Sequence, residues 1–344
     1  MEPEPFQISR VFSQLQLPAN LRWNRRFRQN RLLHRLAALH ERFCTWVTLS
    51  RWFKGVGTFK YTRNGITRTV SFNGRNAQFH ALYDPQYRYG YEVETAWLLT
   101  RLCRGEKNFY DVGANWGYFS LLLAASPDFA GHCYAFEPNP SSFADLDSVI
   151  VQAGVQDKVH ARQIGLGATR ASLHITQANR FLSGLARLSS EGQGPLIPVE
   201  PLDELDLPPP NVIKIDAEGM ELAIFQGASR LLKMVRPVLV FENFLNPQNP
   251  ESTLAPIELL LACGYQVFNP TLAIVRHGRT FLASYGTPLG DLLANSKPPV
   301  ICLVPITPAN RFLMHWQLNL VACHSESLTG LLSDDVILGP IPGA

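Results

Sequence analysis

The 344-residue sequence lacks the signals of several protein classes. It has no apolar run near the roughly 18–20 residues a membrane-spanning helix needs. Its N-terminus, "MEPEPFQISR", has no apolar core of a secretory signal, so a cytoplasmic protein is expected. The six cysteines (Cys44, Cys103, Cys133, Cys263, Cys302 and Cys323) form no C-x-x-C pair. Their apolar settings, as in "VICLVP", read as buried free thiols in a reducing compartment rather than disulfides or a zinc site. There is no internal repeat, no low-complexity tract, no Walker loop, no H-E-x-x-H and no Ser-His-Asp order. Net charge is small at +3, too small for a nucleic-acid partner to be expected. The nine histidines are dispersed, and His132, His160 and His174 fall in predicted strands, where satisfied side chains outnumber ligands.

Charge is concentrated in one place. "LRWNRRFRQNRLLHRLAALHERF" (21–43) spaces Leu and Phe helically with arginines between them. We read it as the solvated face of a helix packed on the domain, with an anionic membrane or RNA as the alternative partner. Residues 1–55 as a whole read as helical. "GTFKYTRNGITRTVSFNG" (57–74) alternates around Asn64-Gly65 and predicts a hairpin. "YGYEVETAWLLTRLC" (89–103) predicts a helix with its acids early, where the helix dipole favours them.

From residue 108 strands and helices alternate. Strands are expected at "NFYDV", "HCYAFEP", "KVHARQIGLG", "ASLHIT", "VIKID", "PVLVFEN", "YQVFNP" and "PVICLVP". Helices are expected from about Tyr118 to Ala125, over "SSFADLDSVIVQAG" with Ser141 or Ser142 as cap, over "MELAIFQGASRLLKM", and near 256–263. This is an α/β pattern, a mostly parallel sheet covered on both faces by helices. The closing "DDVILGPIPGA" is expected to be loosely held.

Ligands of such sheets bind beyond the carboxyl ends of the strands. Acids recur there: Asp111, Glu137, Asp216 and Glu242. The turn "DVGANWG" is not the G-x-G-x-x-G of a dinucleotide site, and Trp116 occupies its interior. A carboxylate at Asp111 would repel a pyrophosphate and suits a cationic ligand, such as S-adenosylmethionine (SAM) with its sulfonium and ammonium. Glu137 falls where an acid accepts hydrogen bonds from ribose hydroxyls, a role shared with NAD enzymes. The pair favours SAM.

In "VIKIDAEGMELAIF", Lys214 and Asp216 share one face of a strand. A lysine inside a covered strand needs partners, and Asp216 and Glu242 are the expected ones. Neighbouring carboxylates raise a lysine's pKa, so Lys214 reads as an anchor for carboxylates rather than a base. Asp216 or Glu242 is then the group to take a proton from an acceptor. Glu218 and Glu221 read as helix-start carboxylates. Asp216, Glu242 and Asn243 together could hold Mg²⁺. No metal is expected, because the Lys214 charge competes with one.

"FYDVGANWGYFSLLLA", "AFEPNPSSF", "GLG", "PLDEL" and "VIKIDAEGMELAIFQGASRLL", in this order and spacing, resemble the FkbM family of SAM-dependent methyltransferases over roughly residues 79–305. The resemblance implies a class I methyltransferase (Rossmann-like) fold and O-methylation of a hydroxyl on a sugar or natural product. It also implies that Asp111, Gly113, Asn115 and Gly117 form the cofactor turn and Glu137 the ribose-binding acid. Residues 1–78 would be a helical and hairpin extension and 306–344 a C-terminal tail. The expected partner is a small-molecule or glycan hydroxyl acceptor. An N- or protein-directed methyltransferase and a non-catalytic scaffold are the alternatives.

Overall fold

A computed structural model describes residues 6–10, 56–74, 76–83, 87, 90–177, 186–276, 279–283 and 300–339. The basic 21–43 segment and Cys44 lie outside the described residues. Of the N-terminal stretch expected to be helical, Phe6–Arg10 is instead a strand, β1, paired antiparallel with β2 (Val56–Arg63). β2 and β3 (Ile66–Asn73) form the expected hairpin. Asn64 and Gly65 both have positive φ, the conformation a two-residue hairpin turn requires.

The hairpin is fastened to the rest of the chain. Arg63 makes a two-pronged contact with Asp157 at 2.7 Å. The Tyr61 hydroxyl donates to the Leu121 carbonyl at 2.9 Å, inside the core.

Helix α1 (Val93–Leu102) leads to the central sheet. Its parallel strands are β4 (Asn108–Val112), β5 (His132–Phe136) and β6 (Val159–Arg162), with two more from further along the chain. Between them run α2 (Tyr118–Ala125) and α3 (Pro140–Ala153). The cap of α3 is Asn139, not Ser141 or Ser142: its side chain accepts from the Ser141 amide at 3.0 Å, and Pro140 takes the first helical position. A small second sheet follows, from β7 (Gly165–Leu166), β8 (Ala171–Gln177), β9 (Ala186–Ser189) and β10 (Leu196–Glu200), ordered β7-β10-β8-β9.

The chain returns to the centre through β11 (Val212–Ile215), α4 (Glu221–Gln226), β12 (Val238–Phe244) and α5 (Pro250–Ala262). The single helix expected over 220–234 is split, since α4 stops at Gly227 and a separate π-type turn covers Leu231–Val235. The remaining strands are β13 (Gln266–Arg276), β14 (Arg279–Ala283), β15 (Val300–Ile306), β16 (Gln317–Cys323) and β17 (Val336–Leu338), with α6 (Ser325–Leu331) before the last.

The central sheet runs β17-β15-β13-β16-β12-β11-β4-β5-β6, with β14 on β13. β6 to β12 are parallel, β16 is antiparallel to β12, and β13 is antiparallel to β16. From β6 to β13 this is the strand order of the class I methyltransferase fold. The strands expected at "YQVFNP" and "PVICLVP" therefore pair antiparallel, a geometry that needs no crossover helix. β16, from beyond residue 305, sits between β12 and β13. Within the stretch expected to be loosely held, Val336–Leu338 pairs with β15.

β11 is buried at every residue and β12 at six of seven, as strands covered on both faces must be. Cys103, Cys133, Cys302 and Cys323 are buried free thiols; Cys263 is free and half-buried.

Candidate active site

β4 has β5 on one side and β11 on the other, so the winding of the sheet reverses there. A cavity of about 770 Å³ opens at this point, beyond the carboxyl ends of β4, β5, β11 and β12. Asp111, Gly113, Asn115, Glu137, Lys214, Asp216 and Glu242 all line it; Gly117 does not.

The turn after β4 is shaped by two glycines. Gly113 has φ +75°, and a Cβ there would lie 1.8 Å from the Asp216 carbonyl oxygen. Only glycine lets the loops after β4 and β11 touch. Gly117, at φ +90°, starts α2 against Leu146. Trp116 turns out of the cavity's centre toward the hairpin. It is 2 % exposed, stacks on Phe79 at 4.7 Å, meets Phe6 and Phe59 edge-on, and donates from Nε1 to the Gln78 carbonyl. The tryptophan that makes the turn unlike a dinucleotide loop is thus the residue through which the hairpin braces it.

Asp111 is 1 % exposed. Its Oδ2 accepts from Ser120 at 2.7 Å, and its Oδ1 is buried with no partner. Burial pushes its carboxyl up, against the pull of Lys214. Glu137 ties two loops: Oε2 accepts from the Asn115 amide and Oε1 from the Asn139 amide, each at 2.8 Å. Burial raises it to about 7, although both amides favour its charged form.

Lys214 is 3 % exposed and bonds Asp216 Oδ2 at 3.2 Å, with Nζ 4.9 Å from the Phe119 ring centre. Burial alone would lower its pKa, but Asp216, Asp111 and Glu92 outweigh that and hold it above its ordinary value. The expected partnership with Glu242 is not made: the lysine's direct ion pair is with Asp216, and its other carboxylate neighbours are Asp111 and Glu92. Glu242 instead accepts from Gln317 through Oε1, and its Oε2 is buried without a partner. Burial, then Asp216, push Glu242 up to about 10.

Asp216, Glu218 and Glu242 each bring a carboxylate oxygen within 4.8 Å of the others. Asn243 does not join them. Successive strand residues face opposite ways, and its amide donates to Thr253 and accepts from Arg311. Glu221 folds the preceding loop, accepting from the Ala217 and Gly219 amides at 3.2 Å.

The sequence reading passed over several lining residues. Glu92 read as a dipole-favoured acid, yet it stands at the cap of α1 with φ +44°, electrostatically coupled to Lys214 and bonded to Asn319 at 2.8 Å. Glu218 (φ +51°) and Asn115 (φ +50°) share its left-handed backbone, so three of the five such non-glycine residues described line this cavity. Backbone strain of this kind gathers at functional sites. Trp316 and Gln317 come from beyond residue 305 and carried no signal.

Residues 111–267 match the Methyltransferase FkbM domain family. That match covers just under half of the 344-residue chain. The hexuronic acid methyltransferase AglP of Haloferax volcanii is 26 % identical over 152 residues, 43 % of this chain and 61 % of that protein. The chain thus spans less than two thirds of this relative's length. A crystal structure of methyltransferase FkbM from Methylobacillus flagellatus is 18 % identical, with 72 % of this chain and 53 % of that one covered and a TM-score of 0.40. A precorrin-6y C5,15-methyltransferase from Geobacter metallireducens is 18 % identical, covers 71 % and 96 %, and has a TM-score of 0.37. Among the described residues, no helix is long and apolar enough to cross a membrane.

Proposed function

We propose that the FkbM domain transfers a methyl group from SAM to a hydroxyl of a sugar. The observation that carries this reading is the division of the cavity. The glycine turn with Asp111 and Glu137 forms one wall, and the carboxylates after β11 and β12 form another. The residues fit the cofactor. Asp111 Oδ1 is a buried acceptor without a partner, suited to a cationic ligand. Each Glu137 oxygen accepts one backbone amide and has a further lone pair for a ribose hydroxyl. When bound, SAM supplies an electrophilic methyl group on a sulfonium whose departure needs no metal.

The protein's part is to position the hydroxyl and take its proton. Asp216 suits that role: its side chain is 31 % exposed, at the cavity, with Lys214 orienting it. Burial and the neighbouring Asp216 hold the Glu242 carboxyl well above the usual carboxylate range, so Asp216 is the better proton acceptor of the two. The hexuronic acid in the relative's name supports a sugar acceptor.

Transfer of labelled methyl groups to sugar hydroxyls tests the reading. Asp216→Asn should lower kcat by roughly 10²–10⁴-fold while S-adenosylhomocysteine still binds. An unchanged kcat would remove Asp216 from the chemistry, and transfer to no sugar hydroxyl would refute the acceptor class.

A further inference from the structure

The cavity has a pronounced charge imbalance. Among its described lining residues are six carboxylates (Glu92, Asp111, Glu137, Asp216, Glu218 and Glu242), no arginine, and a single lysine. That lysine is already committed to Asp216. On the acceptor side, three carboxylate oxygens, one each from Asp216, Glu218 and Glu242, converge within 4.8 Å.

An acidic cluster alone does not name a ligand, but Glu242 adds a second fact. It is 7 % exposed, lines the cavity, and its Oε2 has no hydrogen-bond partner. An acceptor buried this way is unfavourable unless a ligand donates to it. Burial and Asp216 together push its carboxyl up, so the cluster opposes its own ionisation and a bound cation would relieve it.

Two cations could do so, a divalent metal or an ammonium. An ammonium has three N–H donors, matching three converging carboxylate oxygens. The adjoining wall is aromatic. Phe244 and Trp316 lie 5.4 Å apart, Trp316 precedes the Gln317 that holds Glu242, and Tyr91 adjoins Glu92. Aromatic faces suit an organic cation, whereas a hard metal ion gains nothing from them and takes oxygen ligands alone.

We propose that the acceptor is an amino sugar whose protonated amine sits among Asp216, Glu218 and Glu242, leaving a neighbouring hydroxyl to be methylated. This rests on the sugar-hydroxyl methyltransferase reading. Held as an ammonium, the nitrogen has no lone pair, so the hydroxyl oxygen is the nucleophile. Its oxygen gains the carbon–oxygen bond as the carbon–sulfur bond breaks, and its proton passes to Asp216.

The test is calorimetry on the full chain, in EDTA with saturating S-adenosylhomocysteine. The probes are the methyl glycosides of glucose, 2-amino-2-deoxyglucose, its N-acetyl derivative, and glucuronic acid. The amine should bind about tenfold or more tighter than the neutral and N-acetylated sugars, with the uronic acid weakest. Glu218→Gln should cut the amine's advantage over the neutral sugar several-fold while S-adenosylhomocysteine still binds. Equal binding of all four, no binding of the amine, or tightest binding of the uronic acid would overturn the proposal. So would a dependence on Mg²⁺, added with the EDTA left out, that is equal for amine and neutral sugar, which would give the cluster to a metal. Failure of S-adenosylhomocysteine itself to bind would instead refute the cofactor reading.

Discussion

Lys214 and Asp111 stand opposite one another in the ladder between β11 and β4, both buried. The lysine's direct ion pair is with Asp216, two residues along its own strand. One cation thus serves both walls of the cavity, that of the glycine turn and that of the proton acceptor. Lys214→Met would leave these carboxylates facing each other without it. We expect a loss of roughly 3–5 kcal/mol in urea unfolding. A variant with native melting temperature and no turnover would make Lys214 part of the chemistry instead.

Glu94, in the first turn of α1, is 5 % exposed and outside the cavity. Burial raises its pKa to about 7 from 4.5. The folded state therefore binds its proton more tightly than the unfolded state. Stability from this group is full below pH 4.5 and is lost as the pH rises toward 7. Glu94→Gln should match the wild type near pH 4 and exceed it at pH 8 by on the order of 2–3 kcal/mol. Parallel stability–pH curves for the two proteins would show that Glu94 is not the titrating group.

Arg311 is fully buried, and burial lowers its guanidinium to about 10. It donates to the Asn243 side chain and carbonyl and to the carbonyls of His315 and Trp316. These bonds fix the loop that delivers Trp316 and Gln317 to the cavity. Arg311→Met should cost about 2–4 kcal/mol, since several buried acceptors lose their donor, and should speed proteolysis between 311 and 317. Cleavage at the wild-type rate would mean the loop is held by other contacts.

That Asp111, Gly113, Glu137, Lys214 and Asp216 gather about one cavity was legible because each lies in or just after the carboxyl end of a short apolar strand, a place in the sequence that is also a place in the sheet. The parallel half of the sheet was legible for the same reason. What escaped depends on contacts distant in the chain. Asp216 was legible as a partner of Lys214, but the lysine's further carboxylate neighbours, Asp111 and Glu92, follow from β11 lying beside β4 and from where α1 begins, which no local pattern encodes. Glu92 needed Asn319 of β16 to come within hydrogen-bond reach, and Gln317 needed β16 to insert beside β12. Trp116 looked like an obstruction in a ligand turn because its neighbours, Phe6, Phe59 and Phe79, come from elsewhere in the sequence.

Titration of the wild-type protein and of Glu137→Ala with S-adenosylhomocysteine and with NAD tests the central claim most directly. We predict that the wild type binds S-adenosylhomocysteine and not NAD. Glu137→Ala should weaken that binding by about 1–3 kcal/mol, because a hydrogen-bonding carboxylate is lost and the amides of Asn115 and Asn139 are left without their acceptor. Tight binding of NAD with no binding of S-adenosylhomocysteine would contradict the account.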